Sequence, residues 1–61
     1  MILVEKAIQN KKVVINAEMI ETVEEIPETV ITLLNGKKII VKERKEEIIE
    51  LVVKYKRSIL I

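Results

Sequence analysis

Hydrophobic and polar positions alternate through the first two-thirds of the chain and change period in the last third. Met1 to Gln9 begins with four apolar residues, breaks at Glu5-Lys6 and returns to Ala7 and Ile8, which predicts a first strand. Gln9-Asn10-Lys11-Lys12 is the expected turn, and Val13-Val14-Ile15 starts a second strand, so these segments predict a first hairpin. Asn16-Ala17-Glu18-Met19 interrupts the strand pattern with a capping residue followed by helix formers, which predicts one helical or 3₁₀ turn. Ile20 to Ile26 resumes a strand, but Ile20, Val23 and Ile26 are spaced by three rather than two. That spacing requires either a bulge or a longer helical turn. Pro27 has no backbone donor and ends this linking strand. From Glu43 to about Arg57 the period becomes helical. Ile48, Val52, Tyr55 and Ile59 fall on one stripe, flanked by Ile49, Leu51 and Val53, so the apolar face is wide.

The strongest local signal lies between these regions. Thr29 to Leu34 and Lys37 to Lys42 are rich in Val, Ile and Thr and flank Asn35-Gly36, the only glycine in the chain. A two-residue loop would pair Thr32 with Ile39 and Leu33 with Lys38, mixing lysines and aliphatics on both faces. A three-residue loop, Leu34-Asn35-Gly36, pairs Leu33 with Lys37, Ile31 with Ile39 and Thr29 with Val41. Ile31, Leu33, Ile39 and Val41 then share one face, and Val30, Thr32, Lys38, Ile40 and Lys42 share the other. A one-residue slip sends every side chain to the opposite face, so the cleaner partition favours the three-residue loop, with Gly36 in the left-handed position. The expected architecture is α+β and β-rich: about five antiparallel strands, in two hairpins plus a linking strand, followed by one C-terminal α-helix. Residues 1–61 form a single domain, with the sheet over 1–42 and the helix and tail over 43–61.

Composition narrows what such a domain can do. A chain of 61 residues buries only about 60% of the surface its unfolded form exposes. No cysteine or histidine is present, so disulfides and thiolate or imidazole metal sites are excluded. Dense aliphatic packing and self-association remain, and aliphatics on both faces of the central hairpin predict a homo-oligomer. Eleven Lys and Arg against ten Glu leave no global field for nucleic acid. Charges segregate locally instead. Glu18, Glu21, Glu24, Glu25 and Glu28 form an acidic stretch, Lys11, Lys12, Lys37 and Lys38 sit at the two turns, and Lys54, Lys56 and Arg57 end the helix. Solvated surface is the simplest account of each cluster taken alone. Acidic residues at the helix start and basic residues at its end suit the macrodipole, and Glu50 and Lys54 are a favourable i,i+4 pair. The amino cap is poor, because Glu43 or Arg44 stands where Ser, Thr or Asp would serve better.

Catalysis is not expected. Ser58, the threonines and the lysines have no histidine or cysteine beside them, and carboxylate pairs such as Glu24–Glu25 and Glu46–Glu47 are too close in sequence to converge in regular structure. Gly36 stands alone, so no phosphate loop is present, and no cofactor or small-molecule substrate is expected. Nucleic-acid stacking needs aromatics, and Tyr55, the one aromatic, falls on the stripe expected to be buried. The amino terminus has no basic region or cleavage signature, and no apolar run approaches the roughly 18 residues of a membrane span, so a cytoplasmic protein is expected.

Several blocks in order carry a family resemblance. They are Asn16-Ala17-Glu18-Met19-Ile20-Glu21-Thr22-Val23-Glu24, Pro27-Glu28-Thr29-Val30-Ile31-Thr32-Leu33, Asn35-Gly36-Lys37-Lys38, Val41-Lys42-Glu43, Glu46-Glu47-Ile48 and Tyr55-Lys56-Arg57. From Ile15 to Arg57 the chain resembles the small flagellar FlbD family, which includes the swarming-motility proteins called SwrD. It departs from the family where the first hairpin usually turns on Asn-Gly and here reads Ile8-Gln9-Asn10-Lys11. A Ser typical before the helix is Arg44 here. The resemblance implies a cytoplasmic, non-enzymatic accessory factor of flagellar motility or swarming, acting through protein contacts with a motor or stator component and recruited to the flagellar base. Candidate partner-binding residues are Glu21, Glu24 and Glu25 in the acidic stretch, Lys37 and Lys38 by the glycine, and Tyr55 and Arg57 at the helix end, where the apolar Ile59-Leu60-Ile61 follows. Two alternatives stand beside this reading. One is a small RNA-binding post-transcriptional regulator, since size and strand-then-helix order are similar to the carbon storage regulator family, without its motifs. The other is a purely structural self-assembling subunit.

Overall fold

The computed structural model describes residues 1–59 and shows five antiparallel strands followed by one helix. β1 (Ile2–Glu5) and β2 (Lys12–Ile15) form the first hairpin, a 3₁₀ turn covers Ala17–Met19, and β3 (Ile20–Glu25), β4 (Thr29–Leu33) and β5 (Lys38–Val41) form a three-stranded meander. α1 (Lys45–Ile59) closes the domain. The two sheets meet edge to edge. The Ala7 N–H donates to the Ile40 carbonyl at 2.9 Å, the Lys42 N–H donates to the Glu5 carbonyl at 2.9 Å, and Lys6 bridges Val41. The lateral order across both sheets is therefore β2-β1-β5-β4-β3.

The central hairpin has the register that the partition of side chains predicts. Thr29 pairs with Val41, Ile31 with Ile39 and Thr32 with Lys38. The Gly36 N–H donates to the Leu33 carbonyl at 2.9 Å, and the Leu33 N–H donates to the Lys37 carbonyl at 2.8 Å. Gly36 has φ +89°, where a Cβ is costly. The Asn35 carboxamide oxygen accepts the Lys37 N–H at 3.0 Å and rigidifies the turn.

The 3₁₀ turn also forms as expected, with the Asn16 carboxamide oxygen accepting the Glu18 N–H at 3.1 Å. The three-residue spacing that follows is a β-bulge. Ile20 pairs with Leu33 and Thr22 with Thr32, so Glu21 is the extra residue. The bulge returns Val23 to the face of Ile20, opposite Ile31. It does not extend the pattern to Ile26, which lies beyond the strand end and is 93% exposed.

Three further expectations need correction. The first strand ends at Glu5, with only a bridge at Lys6, and does not run to Gln9. Asn10 adopts the left-handed region (φ 51°) and the Lys6 N–H donates to the Lys11 carbonyl, so Ala7 to Asn10 is the loop and Ile8 is exposed. The helix starts at Lys45 rather than Glu43, because Glu43 is drawn to β1, where its carboxylate accepts the Glu5 N–H at 3.0 and 3.2 Å. Ile59 is 55% exposed and lies outside the core; Leu60 and Ile61 lie outside the described residues.

Ile2, Val4, Ile15, Ala17, Ile31, Val41 and Ile48 form the core, with Val13, Ile20, Val23, Leu33, Ile39, Leu51, Val52 and Tyr55 packed around it. Every element contributes to this one cluster. Each fully buried branched side chain such as Ile31 or Ile48 contributes about 1.5–3 kcal/mol. The weak helix cap is compensated from a distance. The Arg44 N–H donates to Glu47 Oε1 at 3.2 Å, half of a capping box, and the Lys45 N–H donates to Glu25 Oε1 of β3 at 3.2 Å. The ion pairs among the described residues are Lys42–Glu5, Arg44–Glu25 and Lys56–Glu18; Glu50 with Lys54 is not among them.

Candidate functional site

The acidic stretch does not form one surface. The bulge at Glu21 and the alternation along β3 send its members in different directions. Glu18 pairs with Lys56 at 3.8 Å. Glu25 faces α1, where it accepts the Lys45 N–H and pairs with Arg44 at 3.8 Å. Glu21 is exposed at the bulge, and Glu24 is exposed on the face of β3 opposite to Glu25. Of the three glutamates singled out in the sequence, Glu25 therefore has a role inside the fold.

Lys37 and Lys38 separate in the same way. Lys37 is an exposed turn residue. Lys38 lies in the cross-strand row Thr22–Thr32–Lys38, next to the row Glu24–Val30–Ile40. Glu24 and Lys38 thus share the outer face, and both line an open cleft of about 560 Å³ with Ile26, Val30 and Ile40, which Glu25, Glu28 and Lys45 also border. Residues read from the sequence as two surfaces of opposite charge belong to one. At the helix end, Tyr55 is half-buried against the core while Arg57 is exposed. Ser58 Oγ donates to the Tyr55 carbonyl at 2.7 Å, which ties the last turn together.

A second groove was not anticipated. Alternation along β1 turns Ile2 and Val4 inward and Leu3 outward, beside Val14, its partner on β2. Ile49 and Val53, at i and i+4 on α1, fall on the flank of the wide apolar stripe. Leu3 (52% exposed), Ile49 (56%) and Val53 (43%) line a groove of about 550 Å³ together with Leu51. Glu43, Glu47 and Glu50 rim it, with Lys54 as the only cation of the lining. Glu43 and Glu47 are fixed by backbone N–H groups of Glu5 and Arg44, so two of the three carboxylates are held in place. The sequence signal was the excess width of the helical stripe; its meaning depends on how α1 docks. No three carboxylates converge on a metal-sized point among the described residues, and no helix among them is long and apolar enough to cross a membrane.

The model of flagellar and swarming motility proteins, FlbD, matches residues 1–60. The chain belongs to the FlbD family. Its role therefore lies in flagellar or swarming motility. No curated protein and no solved structure matches the chain. The match includes the amino-terminal hairpin, where this FlbD chain closes through the Ala7–Asn10 loop instead of Asn-Gly. The blocks that carry the resemblance have clear structural duties. Asn16 caps the 3₁₀ turn, Thr29 to Leu33 is the central strand, and Asn35-Gly36 closes its hairpin. Where FlbD proteins typically have Ser before the helix, this one has Arg44 and takes an acceptor from Glu25.

Proposed function

We propose that this FlbD protein is a non-catalytic accessory factor of flagellar motility that docks a protein partner in the groove between β1 and α1. The observation that carries this reading is the groove itself: exposed Leu3, Ile49 and Val53 between fixed carboxylates. Exposed aliphatics grouped in a polar rim mark interaction surfaces more often than solvent-facing ones. Three glutamates against one lysine select a partner segment with apolar anchors flanked by Lys or Arg. The family's role favours a motor or stator component, which the protein meets on the cytoplasmic side at the flagellar base. The same rim repels an anionic membrane surface or a nucleic acid.

The test replaces Leu3 and Val53 together by Lys, both being exposed positions. Tagged wild type and L3K/V53K are crosslinked in motile cells, pulled down and scored for swarming complementation. The expected result is a flagellar protein captured by the wild type and lost, with swarming, in a variant whose melting temperature is nearly unchanged. Full swarming by the folded variant, or capture of RNA alone by the wild type, overturns the reading.

A further inference from the structure

We propose that the outer face of the β3-β4-β5 meander binds a second copy of the chain, giving a two-fold symmetric dimer. This surface is separate from the groove, and its assignment stands on different observations. Two rows cross this face, Glu24–Val30–Ile40 and Thr22–Thr32–Lys38. Val30 and Ile40 are partly exposed on this face, and Thr32, in the second row, is buried. Ile26, 93% exposed, borders the same cleft at one end. Ile8, 82% exposed, extends the apolar surface past Ile40 at the other. Four aliphatic side chains thus border this face, Ile8 and Ile26 largely exposed and Val30 and Ile40 partly so.

Charge placement selects the occupant. Glu24 stands on edge strand β3 and Lys38 on β5, on opposite sides of β4. With strands about 4.8 Å apart, two strand spacings and a diagonal offset keep these groups from pairing within one chain. Neither forms an ion pair among the described residues. Now place two such faces together, about 10 Å apart as packed sheets are. A two-fold axis in the contact plane, crossing β4 between the two rows and perpendicular to the line from Glu24 to Lys38, carries Glu24 of one copy over Lys38 of its partner. The reciprocal pair forms by symmetry. The apolar surface meets itself near the axis. Mixed signs placed on either side of an apolar centre satisfy a self-complementary contact. The groove between β1 and α1 is the opposite case: its rim is nearly all acidic, so two copies would confront like charges there. The contact closes on itself, so association stops at two. With so few aliphatics its affinity falls in the micromolar range.

Sedimentation velocity on the full chain, from micromolar to millimolar protein, tests this directly. A monomer–dimer equilibrium is expected. Glu24→Lys and Lys38→Glu, both at exposed positions, should each weaken it by about tenfold, because the axis repeats every altered contact. The double variant E24K/K38E should recover the wild-type dissociation constant, since the swapped charges still meet. Ile26→Lys should give a monomer. Circular dichroism melts confirm that each variant is folded. A wild type that stays monomeric over the whole range overturns the proposal. So does a dimer indifferent to both charge swaps, one broken by L3K/V53K instead, or oligomers that keep growing with concentration.

Discussion

Glu25 supplies the sharpest test of the fold. Its carboxylate reaches from the end of β3 to the first turn of α1, accepting the Lys45 N–H at 3.2 Å and standing 3.8 Å from the Arg44 guanidinium. Glu25→Ala removes three contributions. Loss of a side-chain acceptor at a helix start costs about 1 kcal/mol. Loss of a negative charge at the positive end of the macrodipole costs about 0.5 kcal/mol. The ion pair with Arg44, whose side chain is 75% exposed, adds no more than a few tenths. The sum is about 1.5 kcal/mol, and at about 4–8 °C per kcal/mol for a domain this small the melting temperature falls by roughly 6–12 °C. Glu25→Gln keeps an oxygen in place and loses only the charge, so it should cost about 0.5 kcal/mol and roughly 2–4 °C. Thermal melts by far-ultraviolet circular dichroism, in low and in molar salt, read both variants. Salt screens the charge but not the hydrogen bond. E25Q should therefore approach the wild type in high salt while E25A does not. An E25A melt superimposable on the wild type, or equal losses in both variants, would refute the distant cap. The same contact rules Glu25 out as a neutral probe of docking, since its replacement acts on the helix first.

Two further pairs of substitutions test the hairpin and the helix orientation. Gly36→Ala meets open space around the new Cβ, so its cost is backbone strain alone, about 1 kcal/mol, and Gly36→Asn should lose less; urea midpoints distinguish the two. Ile48→Ala, at a fully buried position, should cost about 3 kcal/mol and leave a chain of this size largely unfolded at ambient temperature, whereas neighbouring Ile49→Ala should cost less than about 0.5 kcal/mol. Equal damage at positions 48 and 49 would mean that α1 is docked on a different face.

Local patterns made most of the elements legible. Asn35-Gly36 and the side-chain partition were enough for the register of the central hairpin, because a slip by one residue would have exposed Ile31 and Val41. The odd spacing of Ile20 and Val23 left a bulge or a longer helical turn open, and the bulge is what forms. Ile26 misled, since an apolar residue before Pro27 extends a strand pattern equally well whether it is covered or exposed. Ala7 and Ile8 misled likewise: the left-handed Asn10 decides where that loop begins, and no alternation reports it. The functional surfaces were less legible. Glu24 and Lys38 look like members of separate charge clusters until β4 is placed between their strands. Leu3, Ile49 and Val53 become a groove only once β1 and α1 are side by side. The cap from Glu25 joins residues 20 positions apart, beyond the reach of any helix-start rule.

The seam between β1 and β5 has a consequence for the chain as a polymer. Joining Glu5 to Lys42 closes a loop more than ten times longer than the three residues spanned by the Asn35-Gly36 turn. On loop-closure entropy the seam costs about 2 kcal/mol more than the hairpin does. Its two backbone hydrogen bonds and the Glu43 contact offset that cost only when Ile2, Val4 and Ile15 reach Ile31, Val41 and Ile48 at the same moment. Neither hairpin owns a core, and no intermediate piece is worth keeping. Stability here belongs to the whole chain or to none of it.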